Sequence, residues 1–483
     1  MKDIILTTIN AKWIHPSLAL RLLKANLGAL EERCEIIEFA LRQPLGEKLQ
    51  PLVEANPRIL GISVSIWNHA QTLELLKELE KNRHCIKPVV VLGGPEISYL
   101  PSDAQIFKYA DHVIRGEGEA AFRLLCEKIL LGKTDSGAKE SGICKSAYHL
   151  YTGEDLEKKL TYVESSRGCP FNCEFCLSAA DNTIREFPLE QFLQDMDLLI
   201  QRGAKTFKFL DRTFNSNIKR AVKIIDFFLE KIEQLTSSAP PPQCENFSQN
   251  NAQQAQAQLK QQAQLKQKAP FVVHFEMAPS LFPQELRERL ALFPPGTLRL
   301  EIGIQSLNAE VCVRIRRPSN PDKEIEALRF LHENTNAIIH ADLIAGLPGE
   351  DIDSFGRGFD RLWQALSGEK KQVEIQLGIL KLLPGAPIAR HNEAFGMRYN
   401  KEPPYEVIET SAASAGDIQR IKNFARFWEL IVNRKLAEIP ANEPVFDKFL
   451  SLADKLYAHF DKNWGIDKTE LLDKVKFYGF SGK

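Results

Sequence analysis

Three cysteines lie within eight residues, at Cys169, Cys173 and Cys176, with the spacing C-x3-C-x2-C. Thiolates are soft ligands that suit iron–sulfur clusters, and cluster-binding proteins show short cysteine spacings of this kind. Most clusters with four irons take four cysteine ligands, but no fourth cysteine lies near these three. The spacing therefore predicts a 4Fe–4S cluster in which one iron is open to a small molecule.

A zinc site and three unrelated core cysteines are the two alternatives for this stretch. A structural zinc ion usually takes four protein ligands, commonly arranged as paired Cys or Cys/His hooks, and no second hook is visible. The other six cysteines are scattered, and in a reducing compartment we expect plain thiols rather than disulfides. They are Cys34, Cys85, Cys126, Cys144, Cys244 and Cys312.

The composition of the chain is that of a soluble globular protein. It has 483 residues, of which 44% are hydrophobic and 26% charged, with a net charge of −1. This length predicts two or three domains, and the charge gives no sign of a broad nucleic-acid or membrane surface. The N-terminus lacks a signal-peptide pattern, and no run approaches the roughly 18 apolar residues of a membrane span. The prediction is a cytoplasmic protein with no membrane span.

The first 133 residues alternate between strand and helix patterns. Five apolar strand candidates are separated by segments with helical spacing, which predicts a parallel, doubly wound Rossmann-like sheet. Such sheets bind ligands beyond the carboxyl ends of their strands. The special residues follow those ends, at 10–15, 63–67, 93–95 and 116–119.

The alternation continues from residue 155 to about 395. Six β/α units are predicted, fewer than the eight of a closed TIM barrel, so the expected architecture is a partial (β/α)6 barrel. Polar or glycine residues again follow the strands. They are Asp211, Glu276, Gln305, Ser306 and the run Gly346–Gly349.

Three further segments complete the predicted organisation. Residues 134–154 are interpreted as a linker, and residues 236–270 as a low-complexity insertion outside the chemistry. Residues 400–483 turn helical and rich in aromatics, which predicts a small helical domain that caps the barrel opening. Nothing in this C-terminal region names a substrate.

The cysteine loop and the strand ends together resemble the radical S-adenosylmethionine (SAM) superfamily. The resemblance implies that the open iron chelates SAM, and that an electron from the cluster cleaves SAM to methionine and a 5′-deoxyadenosyl radical. It further implies that Glu276, Gln305 and Ser306 contact the ribose or methionine part of SAM. Residues 343–347, among them Leu343, Gly346 and Leu347, would lie beside the adenine, to which Phe175 would offer its backbone.

Five positions near this SAM site have more than one interpretation in the sequence. Asp211 stands where many members have a glycine-rich, glutamate-containing segment that holds the SAM amine, which puts its role in doubt. Arg316 and Arg317 could pair with the SAM carboxylate or a substrate acid, or be solvated. For Glu301 and Asp342 the alternative is structural, through a salt bridge or a helix cap.

The N-terminal segment is similar to the cobalamin-binding domain that precedes one class of radical SAM enzymes. The matching pieces are 61–63, 91–95 and 114–119. The resemblance implies cobalamin contacts from Ser63, Trp67, Gly93, Gly94, Gly116 and Glu117. No D-x-H-x-x-G motif is present, so cobalt would lack a lower His ligand. The alternative for the domain is that it recognises substrate or has lost its cofactor. The alternative for Trp67 is that its side chain only packs against the protein.

The function that the resemblance implies is a cobalamin-dependent radical SAM methyltransferase acting on an unknown substrate. It also implies a reducing partner such as flavodoxin or ferredoxin. Two alternatives remain open: a radical SAM isomerase, oxidase or ring-forming enzyme without methyl transfer, and a non-catalytic iron–sulfur sensor or scaffold.

Overall fold

The computed structural model describes residues 2–82, 87–133, 144–180, 183–237, 269–367, 373–437, 439–440 and 443–480. Most of the predicted insertion at 236–270 and the first part of the predicted linker lie outside these residues. Within the described ranges, none of the helices has both the length and the apolar character needed to cross a bilayer.

The N-terminal part of the chain is a five-stranded parallel sheet covered on both faces by helices, as predicted. The strands β1 to β5 are Ile4–Asn10, Cys34–Ala40, Ile59–Ser63, Val89–Gly93 and His112–Val113. The helices α1 to α5 are Leu18–Ala25, Leu45–Ala55, His69–Lys81, Pro95–Tyr99 and Glu119–Leu131. The central strands are continuous apolar runs because helices bury both faces of the sheet.

The strand order of this sheet is β2-β1-β3-β4-β5. The order reverses between β1 and β3, and ligands of doubly wound sheets bind at such a reversal, outside the carboxyl ends of the strands. Ser63 and Gly93 end the neighbouring strands β3 and β4 and are register partners. The fold therefore brings together strand ends that are about 30 residues apart in sequence.

A second sheet of six parallel strands forms the open barrel. Its order is β13-β12-β11-β10-β9-β6. The strands are β6 Thr161–Val163, β9 Thr206–Phe209, β10 Val272–Met277, β11 Leu298–Gln305, β12 Ile338–Ala345 and β13 Val373–Ile379; a two-stranded hairpin of β7 Ser166–Arg167 and β8 Arg185–Glu186 follows β6. Helices α6 to α12 are Gly153–Lys158, Leu189–Gln201, Ile218–Ser237, Gln284–Ala291, Ala309–Arg314, Pro321–Asn334 and Ile352–Leu366. The six predicted β/α units are confirmed.

Strand β10 of the barrel alternates between buried apolar side chains and less buried polar ones. In β10, Val273, Phe275 and Met277 are buried in the main core, whereas His274 and Glu276 lie on the opposite face. This period of two places apolar residues against the surrounding helices and polar residues toward the barrel interior.

Three C-terminal helices pack on the barrel edge. They are α13 Ala415–Trp428, α14 Phe446–Phe460 and α15 Lys468–Phe477; short strands β14 Arg398–Tyr399 and β15 Val407–Glu409 precede them. The predicted aromatics Phe424, Trp428 and Phe449 are fully buried, in the same core as the barrel. Trp464, which the aromatic pattern also placed in a core, is 71% exposed because it lies in the loop between α14 and α15.

A buried arginine joins the N-terminal domain to the barrel. Arg21 of α1 is 5% exposed and forms ion pairs of 2.9 Å with both Glu38 of β2 and Asp155 of α6. A buried charge of this kind is tolerated only when partners replace its solvation. The two carboxylates provide that solvation and so fix the relative placement of the two domains.

Candidate functional site

The three predicted cluster ligands lie on the loop that follows β7. Cys173 is buried, and Cys169 and Cys176 are half-buried. The three thiols are close enough to influence one another electrostatically. Among the residues that the structure describes, however, no three Cys, His, Asp or Glu side chains converge tightly enough to hold one metal ion. The cluster assignment therefore rests on the spacing of the three cysteines and on their place in one loop.

The shape of this loop depends on Gly168. Its φ is +92°, and a Cβ at this position would collide with the backbone oxygen of Thr183. Next to it, the Cys169 Sγ lies 3.3 Å from the Thr213 Oγ1, which belongs to the segment after β9. The first ligand is thus held between the β7–β8 hairpin and the end of β9.

Arginine side chains lie on the other side of the loop. Burial raises the pKa of the Cys173 thiol, and the nearby Arg317 guanidinium opposes this shift. Arg317 also donates from Nε to the Ile304 backbone oxygen at 3.1 Å. Arg316 forms an ion pair with the buried Glu174. Arg317 therefore binds the protein itself, whereas Arg316, whose side chain is 64% exposed, is both paired and solvated.

Glu276 and Gln305 lie at the ends of neighbouring strands, on the inner side of the barrel. Burial raises the pKa of Glu276 to about 7, with Arg212 opposing this and Glu301 adding to it. Gln305 ends β11 with a φ of +68°, a conformation that non-glycine residues adopt rarely and that is often maintained at functional positions. Both lie on the polar face of the barrel, and their contact with SAM stays a prediction.

The other predicted SAM residues have their side chains inside the protein. Ser306 is 2% exposed and donates to the Glu350 Oε1 at 2.6 Å. Leu343 is buried in the main core, and Leu347 in a second core beneath the cluster loop. Gly346 has a φ of +83°, and a Cβ there would lie 2.5 Å from the Val407 Cγ1. Only backbone groups of these four residues could contact SAM, so their role remains a prediction.

Phe175 lies beside the strand ends to which the prediction assigned the adenine. It lines a cavity of about 640 Å³ together with Ile344, Gly378, Leu380 and Lys381. The cavity lies at the carboxyl ends of β12 and β13, against helix α13. Phe175 and the 343–347 segment are thus brought together, with Ile344 rather than Leu343 facing the space.

A polar layer crosses the barrel interior below these residues. The Glu301 carboxylate lies 3.2 Å from both the Lys208 Nζ and the His274 Nε2, and the nearby His274 ring, with Lys208, lowers the pKa of Glu301 to about 2. Burial, followed by repulsion from Glu301 and Glu276, raises the pKa of Asp342 to about 8. The structural alternative is therefore confirmed for Glu301, which forms salt bridges, whereas Asp342 faces two other carboxyls.

A cavity of about 910 Å³ lies near the strand ends, between the two domains. It is lined by five of the six predicted cobalamin residues, namely Ser63, Gly93, Gly94, Gly116 and Glu117. From the barrel side, Arg167, Thr183, Arg185 and Arg212 complete the lining. Trp67 does not line the cavity; it is 52% exposed, and its Nε1 donates to the Ile9 oxygen at 3.3 Å.

Apolar residues of the sheet and of helices α1 and α5 also line this cavity. They are Leu6, Leu20, Gly61, Val91 and Phe122. A Cβ at Gly61 would lie 2.8 Å from the Leu6 side chain and 3.1 Å from the Phe122 ring, so the packing there requires glycine. The sequence indicated Gly61 only as part of a strand-end motif, because the packing of α1 and α5 over the sheet is a tertiary feature.

Glycine is required at position 94 by the chain's own backbone rather than by the close approach of a macrocycle. Its φ is +102°, and a Cβ there would lie 2.6 Å from the Val64 oxygen and 3.0 Å from the Ser63 Oγ. A side chain would thus meet the chain's own backbone before any ligand. A Cβ at Gly93 would have only the Ile114 oxygen nearby, at 3.5 Å. A substitution at Gly93 can therefore test ligand binding without distorting the backbone.

Ion pairs connect the predicted cobalamin loop to the cluster hairpin. Arg167 lies 2.7 Å from Glu119, 3.0 Å from Glu164 and 3.4 Å from Glu117, which also pairs with Arg185 at 2.6 Å. The Glu117 side chain is therefore paired with cations of the barrel, and its contact with cobalamin stays a prediction. The sequence shows the glutamates at 117 and 119 and the arginines at 167 and 185, but no local pattern indicates that they pair. Their contact forms only when the two domains pack together.

Two family models match the chain. A model described as the radical SAM superfamily matches residues 163–362, and one described as a B12 binding domain matches residues 4–125. These matches support the predicted cofactor set of a 4Fe–4S cluster, SAM and cobalamin. The two matched ranges coincide with the barrel and with the doubly wound domain described above.

Curated relatives are similar over part of their length. The cobalamin-dependent radical SAM methyltransferase TokK of Streptomyces tokunonensis is 24% identical over 389 residues, covering 74% of this chain and 51% of TokK. The uncharacterized methyltransferase PH0819 of Pyrococcus horikoshii is 28% identical over 200 residues, covering 35% of this chain and 42% of the relative. The chain thus spans about half the length of the curated relatives it matches.

Solved structures share the fold over the whole chain. TsrM from Kitasatospora setae, a radical SAM methyltransferase with cobalamin and a [4Fe-4S] cluster bound, has a TM-score of 0.60 at 15% identity and covers 99% of both chains. OxsB with aqua-cobalamin and SAM bound also has a TM-score of 0.60, at 14% identity, over 98% of this chain and 78% of OxsB. Residues 163–362 therefore form a radical SAM domain, and a B12-binding domain precedes it at residues 4–125.

Proposed function

We propose that this protein is a cobalamin-dependent radical SAM methyltransferase. The observation that carries the proposal is the composition of the interdomain cavity, which is lined from one side by Ser63 and Gly93 and from the other by Arg167 and Arg212. A macrocycle bound across the strand ends would therefore face the barrel mouth, within the same space as the segments that hold Cys169.

The residues of this chain fit the predicted cofactors without a lower histidine on cobalt. The His15 Nδ1 lies 2.7 Å from the Tyr162 hydroxyl, and the His69 Nδ1 lies 2.8 Å from Glu96, so both rings bind the protein outside the cavity lining. When bound, SAM and the cluster would supply a hydrogen-abstracting radical, and cobalamin would supply a methyl group. The chain's own contribution is to orient these groups and to exclude water between the domains.

The relatives' names support methyl transfer, since TokK is named as a methyltransferase and TsrM is described as one. The test uses anaerobically reconstituted protein, dithionite, hydroxocobalamin and SAM with a deuterated methyl group, incubated with a metabolite extract. A deuterated methyl product whose formation requires cobalamin is expected. Formation of 5′-deoxyadenosine that is independent of cobalamin, with no methylated product, would instead identify the isomerase or oxidase alternative. Absence of 5′-deoxyadenosine from cluster-loaded protein would identify the scaffold.

We also propose that flavodoxin or ferredoxin in the cytoplasm donates the electron. Two arginines beside the cluster loop are exposed, Arg316 at 64% and Arg390 at 50%, and suit an acidic donor protein. Replacing dithionite by reduced flavodoxin or ferredoxin should sustain 5′-deoxyadenosine formation, and added salt should slow it. A rate that does not change with salt would contradict docking through these charges.

A further inference from the structure

Glu174 lies between two of the cluster cysteines, in the sequence Cys173-Glu174-Phe175-Cys176. An exposed loop acid at this position would be solvated, but the Glu174 residue is only 1% exposed. A buried carboxylate is costly unless cations and hydrogen-bond donors replace its solvation. Its partners therefore reveal what the loop is bound to.

Three side chains surround the Glu174 carboxylate. The Arg390 Nε lies 2.8 Å and the Arg316 Nε 3.1 Å from Oε1, and the His391 Nε2 lies 2.7 Å from Oε2. Oε2 therefore shares a hydrogen bond with His391, whereas Oε1 is held by ion-pair contacts with the two arginines and has no hydrogen-bond partner among the described residues. These partners come from two separate segments, the end of α10 and a short 3-10 helix at Pro387–His391.

The backbone of Glu174 makes the same two connections. Its N–H donates to the Ile315 oxygen at 3.0 Å, and its oxygen accepts from the Ile388 N–H at 2.9 Å. Arg316 has a φ of +52°, a conformation that non-glycine residues adopt rarely and that surrounding contacts must hold. The ion pair with Glu174 is such a contact.

We propose that Glu174 is the positioning residue of the cluster loop, and that it fixes Cys173 and Cys176 by binding the loop to the Pro387–His391 segment. This segment lies outside residues 163–362, the range that matches the radical SAM model. The cluster site therefore includes a C-terminal element that the domain match does not contain. The inference rests on the cluster assignment above and extends it to residues that are not ligands.

Glu174 also sets the charge beside the cluster. Its negative charge offsets two arginines, so its replacement by Gln would leave those cations near the thiolates. Reduction adds negative charge to a cluster, which nearby cations favour. Loss of the Glu174 charge should therefore raise the midpoint potential, a direction that mere loosening of the loop does not dictate.

The test compares Glu174→Gln and Arg390→Ala with Glu409→Gln, a matched control that removes a surface ion pair with Arg398. In the apo proteins, amide hydrogen exchange should increase in the peptide 170–178 for the first two variants only. After reconstitution, these two variants should lose iron to a chelator about 10- to 100-fold faster, as expected for residues that orient metal ligands. Glu174→Gln should in addition have a higher midpoint potential.

Each result separates the possible outcomes. Wild-type exchange, iron retention and potential in both variants would overturn the proposal, as would an exchange increase spread evenly over the barrel. If the wild-type protein itself binds no iron, the cluster assignment fails, whereas the apo exchange experiment still reports on the loop. A response of Glu174→Gln without any response of Arg390→Ala would contradict binding through the Pro387–His391 segment.

Discussion

Each cluster cysteine has a different neighbour, which decides how the loop is held. Cys169 lies against Thr213, and Cys173 lies against Arg317, while Cys176 donates its backbone N–H to the Cys173 oxygen at 3.0 Å. Burial raises the pKa of Cys173, whereas a bound iron requires the thiolate. Metal loading should therefore release protons and favour mildly alkaline conditions.

The simplest residue-scale prediction concerns the ligands. The triple variant Cys169→Ala, Cys173→Ala, Cys176→Ala should bind almost no iron, while the reconstituted wild-type chain should hold about four irons. Iron analysis after gel filtration measures this. Cys144→Ala, a half-buried cysteine outside the loop, is the control and should load fully. Full iron in the triple variant would exclude these three ligands.

A second residue-scale prediction concerns Asp342. Its folded pKa is about 8, well above the usual 3.8, because burial and neighbouring carboxyls disfavour its charge. A raised carboxyl pKa means that the folded state binds the extra proton, so stability falls as the pH rises from about 4 to about 8. Between pH 6 and pH 8 the wild type should lose about 2 kcal/mol more than Asp342→Asn.

This loss corresponds to a difference of about 4 °C in the pH-dependent change of melting temperature. Thermal unfolding of the apo proteins at the two pH values measures it. The exposed Asp473→Asn variant is the control and should follow the wild type. If Asp342→Asn shows the wild-type pH dependence, the carboxyls inside the barrel are not desolvated.

At the scale of elements, helix α8 and strand β10 bracket the insertion. Val272 at the start of β10 donates to the Lys205 oxygen at 3.0 Å, and Phe228 and Ile232 of α8 are buried in the main core. Both flanking elements are thus fixed by contacts of their own. Their stability does not depend on the segment between them.

Deletion of residues 240–268 should therefore leave the fold nearly intact. Loop closure costs only about 0.6 kcal/mol for each doubling of loop length, so shortening the connection changes little. We expect the melting temperature to fall by less than about 5 °C. Ile232→Ala, which removes a side chain that is 2% exposed, should cost about 2–5 kcal/mol and proves that the assay is sensitive. A larger loss in the deletion would show that the insertion packs on the domain.

At the scale of the whole molecule, the two domains share one cavity and are joined by charged contacts on both sides of it. Arg21 bridges Glu38 and Asp155, and Arg167 bridges Glu119 and Glu164. The C-terminal segment adds a third contact, because the Tyr405 hydroxyl donates to Glu96 at 2.5 Å. This architecture positions the strand ends of one sheet over the mouth of the other.

Binding of cobalamin in this cavity is testable with Gly93→Val. Its side chain would project into the cavity region without meeting the backbone closely, so the fold should survive while hydroxocobalamin is lost on gel filtration. Gly94→Val should also release cobalamin, but through distortion at Val64. Gly153→Ala, where an added Cβ has nothing within 4 Å, is the control. A wild-type chain that retains no cobalamin at micromolar concentration would refute the methyltransferase proposal.

The sequence by itself determined the fold class and the cluster loop. Both are local: strand and helix periods follow from the burial of alternate or every third to fourth side chain, and the thiols of Cys169, Cys173 and Cys176 are neighbours along the chain. The sequence also predicted that Gly93 and Ser63 lie close together, because strand ends of a doubly wound sheet meet at one edge.

The partners of polar residues that are distant in sequence become visible in the folded chain alone. Ser306 hydrogen-bonds to Glu350, and Glu117 forms ion pairs with Arg167 and Arg185. Glu174 pairs with Arg316, Arg390 and His391. These side chains are charged or polar, and each was compatible with a ligand until a partner was known. Glu350 lies 44 residues from Ser306 along the chain, and His391 lies 217 residues from Glu174. Such pairings depend on the docking of domains and helices, which no local sequence pattern records.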